Sequence, residues 1–266
     1  MQPGTAAPEE HWTEFGRVRL PTGDELLLRR RGHRFEIRFN GWELMSDRAH
    51  WSETALGALG CEGIIGAGAC VLIGGLGIGY TLRAALDALP ITASVVVAEL
   101  LPEVIAWNRG PLGDVAGRPL ADPRVTIEPH DVARVLRHSA GRFDAVLLDI
   151  DNGPEAVTFA PNRQLYGADG LALIRRALRP RGRLAIWSAG RAAAFEVRLA
   201  AHGFDWQAIE VPARGCLNDP RHVIYLAAES TTHAGPRATP PPASASSRSA
   251  SSTATSARRR RSTSPR

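Results

Sequence analysis

A chain of 266 residues with 44% hydrophobic side chains can bury one substantial core and a small satellite domain, but not two large domains. Its formal charge of +5 suggests a nucleic-acid binder, yet residues 230 to 266 hold seven arginines and no acid; without them 25 arginines face 27 acidic residues. The body is therefore slightly acidic, and the absence of lysine excludes a P-loop and Schiff-base catalysis by an amine side chain.

The opening residues, MQPGTAAPEEHW, carry acids and lack an apolar run, so no secretory signal is read there and the cytoplasm is the expected compartment. Residues 1 to 12 are assigned to a disordered N-terminus. Residues 13 to 45 read as short strands, a small β-appendage, with hairpin turns at PTGDE (21 to 25) and FNGWE (39 to 43). Asn40-Gly41 is the stronger turn signal, and FEIRF alternates as a half-covered strand does. A helix is expected from Ser46 or Asp47, carrying Ser52 and Glu53, and it opens a catalytic domain running from 46 to 229.

Residues 63 to 82 form an uncharged stretch of 20 residues, a length that spans a bilayer. Seven of them are glycine, which disfavours a helix; a short buried strand entering a glycine-rich turn explains both features. Cys61, Cys70 and Cys216 show no CxxC pair or His/Cys spacing, so neither a disulfide framework nor a metal site is expected.

From Cys70 onward, apolar runs alternate with helical segments, as in βαβ units on a mainly parallel sheet. The strands are read at 70 to 74, 94 to 99, 124 to 128, 143 to 149, 182 to 188, 205 to 211 and 222 to 228, with a helix from Arg163 to Leu178 stopped by LRPRG. The last two strands have no helix between them and should form a hairpin. The expected fold is α/β, a seven-stranded Rossmann-like sheet of the methyltransferase type with one antiparallel strand. Residues 230 to 266 are too poor in large apolar side chains to order. Their RRRR cluster, 258 to 261, is either an anchor for nucleic acid or simply a solvated tail.

Four places carry chemistry. VLIGGLGIGY (71 to 80) brings Gly74, Gly75, Gly77 and Gly79 into the turn before a helix, where backbone approaches a ligand and N–H groups are free. The dinucleotide fingerprint fails, because its last glycine would fall on Tyr80. Glu99, ending the next strand, can accept hydrogen bonds from both hydroxyls of a ribose. Asp131 suits either an adenine amino group or the N-cap of a helix, and His130 beside it reads as a loop residue. FDAVLLDIDNGPEA (143 to 156) ends a strand in Asp149, which can orient or deprotonate an amine; Asp151 is either a second such carboxylate or an Asx-turn residue.

In this order, glycine turn, acidic strand end, Asp after the third strand and FDAVLLD at the fourth, residues 70 to 228 resemble the class I S-adenosylmethionine-dependent transferases. They are most similar to the spermidine synthase-like branch, through the β-appendage, SDRAHWSETALGALG (46 to 60), GGLGIGYTLRAAL (74 to 86) and DPRVTIEPHD (122 to 131). The resemblance implies that Gly75, Gly77, Glu99 and Asp131 contact the nucleoside of S-adenosylmethionine or its decarboxylated form. It also implies that Asp149 faces the attacking amine, with Glu53 and Asp151 in the substrate site, and that the chain can pair as a homodimer. Two acids of the family pattern are missing: GGLGIG stands for Gly-Gly-Gly-Asp-Gly-Gly, and Asn152 for the second Asp of Asp-x-x-Asp. Each lost charge-assisted hydrogen bond weakens diamine binding by about 1–3 kcal/mol, with Asp151 or Glu155 as the available compensation.

These departures tilt the expectation to methyl transfer onto a small nucleophile, with aminopropyl transfer to a polyamine as the alternative. A non-catalytic binding module, recruiting nucleic acid through its tail, is the reading from another class. No membrane partner is expected.

Overall fold

The computed structural model describes residues 11–155, 160–216 and 218–230. Of the disordered end expected over residues 1 to 12, residues 1 to 10 lie outside the described residues, and so does the expected disordered tail, with its arginine cluster, from residue 231.

Four strands open the chain, β1 (Thr13–Arg19), β2 (Glu25–Arg31), β3 (Arg34–Phe39) and β4 (Trp42–Ser46), paired as an antiparallel meander in that order. Asn40 and Gly41, at φ 47° and 83°, turn the third hairpin with both residues in the left-handed region, as a type I′ turn requires. Glu36 is buried between Arg29 at 3.0 Å and Arg38 at 2.6 Å. The meander docks by close backbone approach: a Cβ at Gly16 would enter the Trp107 indole.

The expected helix at Ser46 begins later. The register pairs Ser46 with Glu36, so the ladder of β4 claims this residue, and α1 runs Trp51–Cys61 after a short turn.

The larger sheet holds β5 (Cys70–Gly74), β6 (Ser94–Ala98), β7 (Val125–Glu128), β8 (Phe143–Leu148), β9 (Leu178–Ser188), β10 (Phe204–Pro212) and β11 (Arg221–Glu229), in the order β10-β11-β9-β8-β5-β6-β7. Only β11 runs against its neighbours, pairing antiparallel with both β9 and β10. The sheet is thus seven-stranded with one antiparallel strand and the anticipated final hairpin.

Alternation along the strands assigns two cores. Val71 and Ile73 face α1 and α2 (Tyr80–Ala88), joining Leu56, Leu82 and Leu147. Leu72 faces the other layer, α4 (Val132–Arg137), α5 (Ala168–Ala177) and α6 (Ala193–Ala201), joining Leu148, Ile174 and Phe195. Sheets covered on both faces have near-continuous apolar strands, which is how CVLIG and VVVA read. Helix α3 (Pro102–Arg109) follows β6.

The helix expected from Arg163 to Leu178 is shorter. Residues 160–164 form a single 3₁₀ turn, Gly167 is extended at φ −86° and ψ −178°, and α5 starts only beyond it. The LRPRG stop is real, but its residues continue as the start of β9, with a bulge against β8 between Phe143 and Ala145. The uncharged stretch 63 to 82 divides into β5, a turn and the start of α2. Among the described residues no helix is long and apolar enough to cross a membrane.

Candidate functional site

Strand order reverses between β5 and β8: from β5 the chain moves outward to β6 and β7, then returns to build β8 and β9 on the other side. The carboxyl ends of the strands at such a reversal form the crevice in which ligands of open α/β sheets bind. The glycine turn follows β5, and Asp149 follows β8.

The turn needs its glycines. Gly75, Gly77 and Gly79 have φ of 85°, 51° and 98°, a region that side chains with a Cβ rarely adopt. A Cβ at Gly75 would strike the Asp149 carbonyl, one at Gly77 would lie 3.2 Å from the Met45 sulfur, and one at Gly79 3.1 Å from Pro119. Met45 belongs to β4, so the small sheet closes over the turn. Gly74 is different: it is the last residue of β5, and its missing side chain makes room for Val132 and Leu148.

Glu99 is buried, 8% exposed. One carboxylate oxygen accepts the N–H of Leu76, inside the glycine turn, and the other accepts the N–H of Leu101, both at 2.9 Å. Burial raises its pKa, while the N–H donors of Leu101, Leu76 and Leu100 oppose the rise. The strand-end acid therefore fastens the turn to β6. The carboxylate keeps lone-pair capacity beyond these bonds.

Asp149 is half-buried and accepts the Thr81 hydroxyl of α2 at 2.6 Å. That hydroxyl is also 3.1 Å from the Glu53 carbonyl, so α1, α2 and the end of β8 meet on one side chain. Burial raises the Asp149 pKa to about 6, with Thr81 acting against it. Glu53, in the first turn of α1, is raised to about 7, first by burial and then by the charge of Asp149. No cation contributes to either carboxylate among the described residues. Two acids share a crevice and neither is neutralised.

Further groups join them. Ser52 donates to Glu53 at 2.7 Å and lies 2.9 Å from Nδ1 of His222, on β11. The imidazole meets Trp187 edge-on at 4.7 Å, and the indole N–H of Trp187 is buried with no acceptor among the described residues. Tyr80 stacks on His50 at 4.0 Å, and its phenol pKa is raised by burial and by the charges of Asp47 and Glu53.

Asp131 caps α4, accepting the Ala133 N–H at 2.7 Å, and His130 lies in the loop before it. Asp151, at φ 56°, accepts from Asn162 at 2.5 Å. Glu155 does not reach the crevice: it accepts the N–H groups of Ala194 and Phe195 at 2.9 and 3.3 Å and so caps α6. The compensation expected of Glu155 is ruled out by that role.

The structure thus brings Gly75, Gly77, Gly79, Glu99, Asp149 and Glu53 to one end of the sheet. Sequence reading missed Thr81 and His222. Thr81 was legible as the second residue of a helix following the turn; His222 had no signal, being 170 residues from the serine it meets. A cavity of about 580 Å³ is an open groove between α3 and β7, walled by Ile105, Arg109, Ile127 and Pro129. It lies outside this cluster, and the chemistry of the acids outweighs its size.

No protein-family model matches the sequence, and no curated protein matches it. Solved structures do. A spermidine synthase from Thermotoga maritima, and a spermidine synthase in complex with the transition-state analogue AdoDATO, each align with a TM-score of 0.61 at 15% identity. Each alignment covers 81% of this chain and 72% of the other. The chain has a spermidine synthase-like fold.

Proposed function

From this fold and the acid pair at its switch point, we propose that the protein is a transferase moving the aminopropyl group of decarboxylated S-adenosylmethionine to a small amine. One observation carries the reading: Glu53 and Asp149 share the crevice beside the glycine turn with no cation between them. Such a pair is completed by a positively charged substrate, whose ammonium offsets the burial that raises both pKa values and the charge that Asp149 places on Glu53. The fold likeness supports the same choice, since both solved neighbours are spermidine synthases, and one was crystallised with AdoDATO.

The residues fit a nucleoside donor. The positive-φ turn brings backbone close to the start of α2, Glu99 offers its remaining lone-pair capacity to a ribose diol, and Asp131 has one oxygen beyond its cap bond for an amino group. Such a donor supplies a carbon already made electrophilic by a sulfonium. What remains for the protein is alignment. The acid pair binds the ammonium, holds its nitrogen toward the turn and takes up its proton. Thr81 fixes the Asp149 carboxylate while this happens, and Met45 helps to keep water off the turn.

Methyl transfer is the second reading. Leu76-Gly77-Ile78 carries no acid to hold the amino end of an aminopropyl chain, and Asn152 stands where a second Asp would bind a diamine. Calorimetry with S-adenosylmethionine and with its decarboxylated form, followed by mass spectrometry of products from a diamine, separates the two. Aminopropyl transfer is expected, with tighter binding of the decarboxylated donor. A methylated product would establish the second reading, and binding of neither donor would overturn both.

A further inference from the structure

The site as described contains a carboxylate pair but gives no route by which the substrate's proton leaves it. Among the described residues Asp149 has one side-chain hydrogen-bond partner, Thr81, which leads there to the backbone of Glu53. Glu53 is different. Its Oε2 accepts Ser52 Oγ at 2.7 Å, and the same Oγ is 2.9 Å from His222 Nδ1. Ser52 is fully buried, whereas His222 is only half-buried. The three groups form an unbroken hydrogen-bonded line from the crevice toward the surface.

We propose that Glu53, rather than Asp149, is the base for the amine, and that Ser52 and His222 are the relay through which its proton leaves. The inference rests on the transferase reading for its substrate, and on the geometry of the line for everything else.

The line has two settings, fixed by the inventory of protons. With Glu53 ionised, His222 Nδ1–H donates to Ser52 Oγ, and Ser52 O–H donates to Glu53. With Glu53 protonated every bond reverses: Glu53 O–H donates to Ser52 Oγ, Ser52 O–H donates to Nδ1, and the imidazole carries its proton on Nε2. The ionisation of Glu53 therefore selects the tautomer of His222.

During turnover the steps balance. The substrate ammonium gives one proton to the Glu53 carboxylate, which frees the nitrogen lone pair. The new N–C bond forms as the C–S bond breaks, with the bonding pair passing to sulfur. With Glu53 protonated the imidazole first exchanges with water from its Nδ1–H to its Nε2–H tautomer, with no net gain or loss of protons. Glu53 then gives its proton to Ser52 Oγ while the serine's own proton passes to the bare Nδ1, and His222 releases its Nε2 proton to water, which restores the starting line. The net release is one proton per transfer, and Asp149 stays an anchor throughout.

The surroundings permit this. Around Glu53 are Asp149 beyond β8, Tyr80 on α2 and, through Ser52, His222 on β11, while Asp47 and His50, in the turn before α1, act on Tyr80. On β9, Arg183 bonds the carbonyl of Leu59, six residues along α1 from Glu53. On β10 the charged residue whose position puts it on that face, Asp205, lies at the strand end remote from Val211, the partner of His222. Burial lowers the His222 pKa, so the ring is neutral, and free to switch tautomer, where Glu53 titrates.

The test needs no donor. In protein labelled with ¹⁵N-histidine, NMR distinguishes Nδ1–H from Nε2–H directly. The His222 Nδ1 signal is expected to change from the bare to the protonated type as pH rises through about 7, the value to which Glu53 is raised. Ser52→Ala and Glu53→Gln are expected to abolish that change, and Ser52→Thr, which keeps the hydroxyl, to preserve it; the backbone spectrum of each variant reports its folding. A His222 tautomer indifferent to pH and to Glu53→Gln overturns the relay. Once turnover is measured, Ser52→Ala is expected to lower kcat by about 10²-fold and flatten its pH profile, with donor KM unchanged. An unaltered kcat and profile would also overturn the relay. A tautomer switch in a protein that binds neither donor leaves the relay standing and defeats the transferase reading alone.

Discussion

Removing one charge from the acid pair should stabilise the protein, and by an amount that depends on pH in a defined direction. In Glu53→Gln the side chain keeps its shape and can still accept from Ser52. Burial and the charge of Asp149 raise the Glu53 pKa from 4.5 to about 7. An acid raised in the folded state binds more protons folded than unfolded between those two values. Stability therefore falls as pH climbs through that window, with no penalty below about 4.5 and the full penalty above about 7. The whole interval is equivalent to about 3 kcal/mol, at about 1.4 kcal/mol per decade; partial solvation of the side chain brings it to about 1–2 kcal/mol. For a folded body of this size that corresponds to about 3–6 °C in Tm. Thermal melts of both proteins from pH 4.5 to 8 should give matching Tm values at the acid end and a variant more stable at the alkaline end. A difference that does not change with pH, or a variant less stable at pH 8, would refute the picture of an unneutralised pair.

Other substitutions test the frame around the pair. Gly75→Ala forces a Cβ onto the Asp149 carbonyl at φ 85° and should cost about 2–4 kcal/mol in urea unfolding. Gly77→Ala meets only the movable Met45 sulfur and should cost about 1 kcal/mol. Glu99→Ala strands the N–H groups of Leu76 and Leu101, a loss of about 2–4 kcal/mol; Glu99→Gln, with one accepting oxygen left, should lose about half as much, and calorimetry should show donor binding weakened at least tenfold in both. Glu155→Ala removes the cap of α6 and should lower stability by about 1 kcal/mol while leaving donor affinity within twofold.

The sequence by itself determined the strands of the larger sheet, because their apolar runs are buried on both faces and end in turn residues. It likewise determined the glycine turn, since three of its glycines hold φ values that other residues avoid. The hairpin at Asn40-Gly41 belongs with these, as its conformation is local. Element boundaries set by pairing were not legible. Ser46 joined β4 through its register with Glu36, and residues 160–164 turned separately from α5 because Gly167 is extended, a matter of how that loop packs.

The site divides the same way. Glu99 and Asp149 stand at strand ends, where the pattern of apolar runs alone put them. The N-cap role of Asp131 was legible beside its adenine alternative, whereas only the tertiary structure gave Glu155 to the cap of a distant helix, α6. Only the folded chain could bring Glu53, on the first helix of the larger domain, within the field of Asp149, or set Ser52 against His222 from 170 residues away. Periodicity reports what a residue does along its own strand or helix. Which carboxylate keeps its charge, and which proton has a way out, depends on neighbours that lie far off in sequence and meet only when the sheet closes.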